Sequence, residues 1–238
     1  RRINGYQKHI KQVVPHTSSS DESVLMVTTF ANKILAARGE KIWSSASTSV
    51  ARGSTNIIAS GTAMTGSGVT TVASTTGFSS SGTIQIDDEQ FTYTGITATT
   101  LTGVTRAVNS TTAATHLASS DSSRTVVSES WTVRDTGRTN AGKYSFERFN
   151  FDGNDKILLV DGVNAPVVFN TSIAATDVSE SAVAGASIAV SFREHVFYAG
   201  MSSTPQEVVF STPFDEDDFQ SGQGAGSFKV DDTIVGLK

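Results

Sequence analysis

Histidines and acidic residues are the side chains of this sequence that could catalyse a reaction or bind a metal. The histidines are His9, His16, His116 and His195. None of them lies in the H-E-x-x-H pattern that places two zinc ligands on one face of a helix. His195 directly follows Glu194, which suits either a catalytic His–Glu pair or polar residues at the start of a strand. We favour the strand start and predict no catalytic residue here.

Two runs of acidic residues raise the hypotheses of a metal site and of a glycosidase. The first run is Asp87, Asp88 and Glu89, and the second extends from Asp215 to Asp218. Neighbouring carboxylates in a turn usually point into water. A glycosidase instead needs two carboxyl groups roughly 5 to 9 Å apart across the bond that it cleaves. We therefore expect exposed carboxylates in both runs and predict no metal ligand in either.

Three glycine-containing stretches are similar to functional loops but lack a defining residue. Residues 151–156, FDGNDK, fail the spacing of a calcium loop, and a tight hairpin turn explains them better. Residues 222–227, GQGAGS, have Ser227 where a dinucleotide-binding loop has its third glycine. Residues 66–68, GSG, lack the rest of a nucleophile elbow. The sequence thus predicts no catalytic, cofactor-binding or metal-binding residue, and we expect no enzymatic activity.

The composition favours an all-β protein. Of the 238 residues, 37% are hydrophobic and 17% are charged. Short strands joined by Ser-, Thr- and Gly-rich turns suit these values better than helices with charged outer faces. The sequence has no cysteine, which excludes disulfides and cysteine-ligated metal sites. No apolar run approaches the roughly 20 residues of a membrane-spanning helix, so we predict no membrane-spanning segment.

The charge distribution argues against a protein that binds nucleic acid through bulk electrostatics. The formal net charge is −5, whereas such proteins are basic. A basic cluster near the start is interpreted as a solvated end and comprises Arg1, Arg2, Lys8 and Lys11. The first residue is not methionine, and the final DDTIVGLK is typical of the middle of a strand. We therefore expect a piece of a longer polypeptide.

Residues 54–123 are predicted to form a compact inserted β module. Apolar residues alternate with polar ones in three successive segments, which predicts a three-stranded antiparallel meander with one buried face. The apolar residues of these segments are Ile84, Ile86, Phe91, Tyr93, Leu101 and Val104. Gly103 is expected to form a bulge in the third strand. A further strand is predicted through Val69 and Val72, with Phe78 in the core.

Residues 1–53 and 124–238 are predicted to form a body of antiparallel hairpins. Three stretches each consist of a strand, a glycine-containing turn and a second strand, at residues 34–43, 157–170 and 196–211. Further strands are predicted at residues 23–30, 125–134, 143–151 and 227–230, and a loop or single turn at 175–186. Repeated hairpins without helices predict a partial β-propeller-like body. A β-sandwich is the main alternative, and the inserted module is expected to be a small sandwich or meander.

Motifs in the two flanking segments are shared with one group of phage proteins. The C-terminal motifs are FREHVFYAG at residues 192–200, VVFSTPFDEDDF at 208–219, and DDTIVGL at 231–237 after a Gly-rich loop. The N-terminal motif is RRINGYQKH at residues 1–9. Together they resemble the packaged-DNA stabilisation, or nozzle, proteins of tailed-bacteriophage necks and tail tips. The bodies of that family are much larger than this chain, so the resemblance implies only part of a propeller.

The module has motifs of its own. They are G-T-I-x-I-x-x-E at residues 82–89, Y-T-G at 93–95, L-T-G-x-T-R at 101–106 and N-x-T-x-A-x-x-H at 109–116. They resemble a small β module found inside assorted phage structural proteins. The two resemblances together imply a non-enzymatic protein of the virion tail or neck, made in the host cytoplasm. They further imply a homo-oligomeric ring that contacts portal, adaptor or fibre proteins and lets DNA pass through its lumen without sequence-specific binding.

Three functions stay open at this point. The first is the structural role in a phage tail or neck. The second is an adhesive or carbohydrate-binding role through exposed aromatic residues near Phe91, Tyr93 or Trp131, although their alternating placement favours the core. The third is hydrolysis of a cell-envelope polymer by Glu194 and His195. We favour the first, because no group of residues meets the requirements of a catalytic site.

Overall fold

The computed structural model describes residues 14–15, 23–45, 54–56, 68–114, 116, 125–128, 131–140 and 142–237. Within these residues the chain forms nineteen strands, with three single 3-10 turns and no α-helix. All the strand pairs recorded there are antiparallel. The prediction of an all-β protein is confirmed. No helix in this part of the chain has the length and hydropathy needed to span a membrane.

The chain divides into two compact units. The first unit comprises Arg1–Glu22 and Ser45–Val133, and the second comprises Ser23–Ser44 and Arg134–Lys238. The predicted module, residues 54–123, falls within the range of the first unit, which extends further on both sides.

Three four-stranded sheets contain most of the second unit. Sheet A has the order β1-β2-β3-β11, with strands Val24–Phe30, Lys33–Arg38, Lys41–Ser45 and Trp131–Thr136. Sheet B has the order β12-β13-β14-β15, with strands Ser145–Phe151, Asn154–Val160, Val167–Asn170 and Ala175–Asp177. Sheet C has the order β16-β17-β18-β19, with strands Ile188–Phe192, His195–Ala199, Glu207–Phe210 and Gly226–Lys229. The second, longer segment of the first unit therefore connects the third strand of sheet A to the fourth, whereas its first segment precedes β1.

The first hairpin of each of these sheets has the same turn. A phenylalanine ends the first strand, and both residues of the two-residue turn have positive φ, as in a type I′ hairpin. The turn residues are Ala31 and Asn32 (46° and 60°), Asp152 and Gly153 (52° and 80°), and Arg193 and Glu194 (46° and 70°). The paired residues that flank them are Phe30 and Lys33, Phe151 and Asn154, and Phe192 and His195. Sheets A, B and C are thus three copies of one structural repeat.

The sheets of the second unit pack face to face. One hydrophobic cluster joins sheet A, through Leu35 and Ile42, to the face of sheet B that carries Ile157 and Leu159. A second cluster joins the opposite face of sheet B, at Leu158, to residues of sheet C. Strand β13 is buried on both faces, which explains its uninterrupted apolar sequence, Ile-Leu-Leu-Val. This unit has three sheet layers rather than the two of a β-sandwich.

Two smaller sheets form the first unit. Sheet D has the order β4-β10-β6-β7, with strands Ser54–Asn56, Thr125–Ser128, Gly82–Ile86 and Glu89–Tyr93. Sheet E has the order β5-β9-β8, with strands Gly68–Thr71, Thr100–Val104 and Gly95–Ile96. Their apolar side chains share one core, whose buried members are Val72, Phe78, Ile84, Ile86, Phe91, Tyr93, Leu101 and Val104.

The structure corrects the predicted three-stranded meander. Strands β6 and β7 pair as expected, but β9 pairs with β5 and β8 in the other sheet. An isolated bridge between Thr92 and Thr105 is the recorded ladder contact between the two sheets. The predicted bulge is confirmed, because Gly68 pairs with Val104 and Val69 with Thr102, which leaves Gly103 unpaired at φ 61°.

Other predicted elements differ in detail. The strand predicted at residues 125–134 is two strands, β10 and β11. The loop predicted at 175–186 contains strand β15 and a 3-10 turn at Ser181–Val183, because Val167 to Phe169 offer a free strand edge with which β15 pairs. The five sheets form neither a closed barrel nor a closed propeller.

Leu158→Ala tests whether sheet B holds the second unit together. Leu158 is fully buried between sheets B and C. We expect the free energy of unfolding of this unit to fall by about 2–5 kcal/mol, because the substitution leaves a cavity between two sheets. Urea unfolding monitored by hydrogen exchange at sheet B amides measures the change. Val27→Ala, at a side chain that is 64% exposed on sheet A, is the control, and an equal effect of both variants would contradict the stacking model.

Candidate functional site

The most densely connected polar cluster among the described residues lies in the first unit and centres on Glu89. The hairpin that joins β6 to β7 turns at Asp87, whose φ is 51°, and at Asp88. Glu89 is the first residue of β7, pairs with Ile86 and is only 1% exposed. The expectation that this acidic run points into water is therefore wrong for Glu89. The ladder places its side chain on the inward face, and only the two turn residues lie outside the strands.

Hydrogen-bond donors surround both oxygens of the Glu89 carboxylate. Arg106 donates from Nε to Oε1 at 3.0 Å and from Nη2 to Oε2 at 2.7 Å. The backbone N–H groups of Ala107 and Ala114 donate to Oε1 and Oε2 at 3.1 and 2.9 Å. A carboxylate has about four lone-pair sites, so these contacts alone satisfy it. The two-pronged geometry with Arg106 is the stronger, directional form of an ion pair.

His116 connects Glu89 to the hairpin turn. Its ring is 1% exposed. Nε2 lies 2.9 Å from Glu89 Oε2, and Nδ1 lies 2.8 Å from Asp87 Oδ2. Two carboxylates can both accept from one imidazole only when both ring nitrogens carry a proton. We call Asp87, Glu89, Arg106 and His116 the Glu89 network.

The electrostatics of the network keep Glu89 ionised. Burial by itself raises the pKa of this carboxyl, because a low-dielectric surrounding disfavours charge. The hydrogen bonds from Arg106, from Ala114 N–H and from His116, together with the charge of Arg106, outweigh burial and hold the pKa below its ordinary value. A charge that is buried and fully bonded in this way fixes the position of every group that bonds to it.

The neighbouring residue Gln90 also bonds to the segment that follows β9. Gln90 is fully buried, and its backbone N–H donates to Thr111 Oγ1 at 3.0 Å. Its side-chain Oε1 accepts from Asn109 Nδ2 at 2.7 Å, and its Nε2 donates to the Trp131 carbonyl at 2.7 Å. Among residues 106–114 and 116 the structure describes a single 3-10 turn and no strand, with His116 in an isolated β-bridge. Glu89 and Gln90 therefore take the place of a ladder in attaching this segment to β7.

The network explains why the module's motifs have the residues they have. Glu89 ends the first motif and Arg106 ends the third, while Asn109, Thr111 and His116 belong to the fourth. All five converge on the start of β7. Sequence reasoning treated Glu89 and His116 separately and dismissed both. The available signal was the presence of an acid, an arginine and a histidine in a module otherwise poor in charge.

The chemistry of the Glu89 network suits a structural role. Every oxygen of Glu89 is occupied by donors of the chain itself. Within the described residues no set of three or more His, Cys, Asp or Glu side chains has the arrangement of a metal site. A bound substrate would have to displace a buried ion pair, which is costly because the partner charge would stay behind unpaired.

The second acidic run is also only partly exposed. Glu216 is 7% exposed, and its Oε1 accepts from Lys156 Nζ at 2.5 Å. Its backbone carbonyl accepts from the hydroxyl of Tyr198 at 2.9 Å. Burial, and then the nearby charge of Glu216, raise the pKa of that phenol well above its ordinary value. Asp217 Oδ1 accepts from Ser179 N at 2.6 Å, so this run connects the loop after β18 to sheet B.

The structure places His195 at the first residue of β17, as the strand-start interpretation predicts. Its Nδ1 donates to the Ser211 carbonyl at 2.6 Å, since that oxygen can only accept. Glu194 is a turn residue whose carbonyl accepts from Phe214 N.

Residues 151–156 form the predicted hairpin turn. Residues 222–227 hold part of a 3-10 turn and the start of β19. Several features named from the sequence lie outside the described residues. They are His9, His16, the basic cluster, the motif at residues 1–9 and the first two residues of GSG.

The aromatic residues named for an adhesive surface are core residues. Phe91 is fully buried, and Tyr93 and Trp131 are 2% and 7% exposed. Exposed aromatic side chains are found instead on sheet C, where Phe192 is 58% and Phe228 is 47% exposed. Strand alternation in the sequence did not single out this surface, because both faces of β17 and β18 are apolar.

No protein-family model, curated protein or solved structure matches this chain. The interpretation of function therefore rests on the motifs and on the geometry given above.

Glu89→Gln tests whether the Glu89 network stabilises the first unit. The substitution removes a buried charge and leaves Arg106 and His116 facing a neutral group, so we expect the first unit to lose about 3–5 kcal/mol of stability. Asp87→Asn is the matched control. Because the Asp87 side chain is 43% exposed, its ion pair should contribute at most about 1 kcal/mol. Urea unfolding monitored by amide exchange in β6 and β7 compares the two, and equal losses would contradict a role centred on Glu89.

The network also predicts acid sensitivity of the first unit. The folded pKa of Glu89 lies below the unfolded value, near 4.5. Its contribution to stability is therefore complete above that value and is lost as the pH falls through the lower folded pKa. The difference in unfolding free energy between the natural chain and Glu89→Gln should shrink as the pH falls into the acid range. A difference that grows in acid would refute the assignment.

Proposed function

We propose that this chain is a non-enzymatic structural protein of a bacteriophage tail or neck, of the nozzle or packaged-DNA stabilisation kind. It acts through interfaces between subunits around the channel by which DNA leaves the particle. Its partners are further copies of itself in a ring and other tail proteins such as portal, adaptor and fibres. Its place is the virion, after synthesis in the host cytoplasm.

One observation carries this proposal. The motifs that resemble a phage structural module end in residues that meet in one buried network, from Glu89 and Arg106 to His116. Residues spread over 28 positions of sequence would converge in this way only if the motifs describe a folded unit. That supports treating the resemblance as structural rather than as a coincidence of Thr- and Gly-rich sequence.

The second unit supports the same proposal. Stacked four-stranded sheets are the layer arrangement of propeller blades, which the resemblance implies for the body. The net charge of −5 suits a wall along which DNA slides, because like charges reduce contacts with phosphate. The adhesive alternative loses the three aromatic residues on which it was based, since all are buried.

Virus particles that carry this gene provide the test. We expect mass spectrometry of density-purified particles to detect peptides of this chain at several copies per particle. Antibodies against the chain, followed by gold labelling and electron microscopy, should mark the neck or tail. A major capsid protein of the same particles is the positive control. The proposal fails if the chain is absent from intact particles and is found only in the soluble fraction of the host lysate.

A further inference from the structure

Sheet C differs from sheet B in how its two faces are covered. Sheet B has one face against sheet A and the other against sheet C. The inner face of sheet C carries Val196, Tyr198 and Val209, which are buried in the cluster shared with sheet B. The side chains that alternate with these must lie on the opposite face, because successive residues of a strand point to opposite sides.

We call that opposite side the outer face of sheet C. Its residues are set by the register, since directly paired residues share a face. Val190 pairs with Phe197, Phe197 pairs with Phe210, and Val208 pairs with Phe228. Phe192 lies two residues beyond Val190 on the same strand. The apolar residues that define the outer face are therefore Val190, Phe192, Phe197, Val208, Phe210 and Phe228. His195 pairs with Phe192, lies on the same face and contacts the rings of Phe197 and Phe210.

The outer face presents an aromatic surface to solvent. The rings of Phe197 and Phe210 are stacked at 5.3 Å with an interplanar angle of 29°, and the ring of Phe192 lies 6.4 Å from that of Phe197. In the part of the chain that the structure describes, none of the four phenylalanines belongs to a buried cluster. An exposed aromatic surface of this kind marks a site of association.

The repeat indicates what kind of surface would cover it. In stacked repeats each unit buries its apolar face against the next, and an end unit stays soluble by carrying a polar outer side. On sheet A the apolar residues Ala36 and Trp43, which lie on the side that faces away from sheet B, are fully buried. The outer side of sheet C is apolar and is exposed at Phe192 and Phe228, although Val208 within it is buried. The contacts between sheets A and B and between B and C show that faces of this repeat fit one another.

The charges around the outer face favour a second copy of this chain as the partner. Arg193 lies over Phe192, with its guanidinium carbon 5.4 Å from the ring centre, at one corner of the sheet. Glu194 is exposed at the same corner, and Lys229, Asp231 and Asp232 are exposed at the diagonally opposite corner, where β19 ends. A twofold axis between two facing sheets can exchange these corners. It then brings Arg193 of each copy to the acidic corner of the other, as a self-complementary interface requires.

We infer that the outer face of sheet C is a self-association surface that packs against the same face of a second copy of this chain. The inference does not rest on the proposed function, because a self-complementary twofold contact is separate from the heterologous contacts that close a ring. Its location on sheet C follows from the register and exposure given above. The core of the interface is the stacked pair of Phe197 and Phe210, with Phe192 and Phe228 at its sides.

Association of the full chain in a dilution series tests this inference. We expect sedimentation equilibrium to show a concentration-dependent dimer or larger assembly. Phe192→Ser and Phe228→Ser should each weaken association by about tenfold or more, since a buried aromatic anchor contributes over 1.4 kcal/mol. Phe146→Ser is the matched control, because Phe146 on sheet B is 48% exposed, against 47% for Phe228. It should leave association unchanged, and circular dichroism should show that all three variants keep their fold.

Two outcomes would overturn the inference. They are a natural chain that is monomeric throughout the series, and sheet C variants that associate as tightly as the natural chain. The second outcome leaves the proposed function intact, because copies would then meet elsewhere. Absence of the chain from virus particles overturns the proposed function but does not alter any of these measurements.

Discussion

A four-stranded sheet with apolar side chains on both faces must be covered on both sides, and the second unit is organised by this constraint. Strand β13 has four consecutive apolar residues, Ile157 to Val160, so the two faces of sheet B are equally unsuited to water. Sheets A and C supply the two covers. All three sheets start with the same phenylalanine-ended type I′ hairpin, and each pair of neighbouring sheets shares one buried apolar cluster.

The first unit meets a different constraint with a different interaction. Its apolar core is one cluster shared by two small sheets, and residues 106–114 and 116 belong to neither sheet as strands. The ionised carboxylate of Glu89 binds this segment through Arg106, His116 and two backbone N–H groups. Removing one partner of a buried ion pair is costly because it leaves the other charge unpaired. The network therefore holds the segment in one position relative to β7.

The sequence by itself determined the local structure. Alternation predicted most of the strands, glycine and Asp-Gly turns predicted their hairpins, and Gly103 predicted the bulge, because each is set by residues close in sequence. It did not determine which strands share a sheet. Strand β9 was predicted to form a meander with β6 and β7, but it pairs with β5 and β8. It also did not show that Glu89 is buried or that Phe192 is exposed. Those properties depend on contacts between segments that are distant in sequence. Only tertiary packing decides whether a charged side chain forms an ion pair and whether an apolar face is buried.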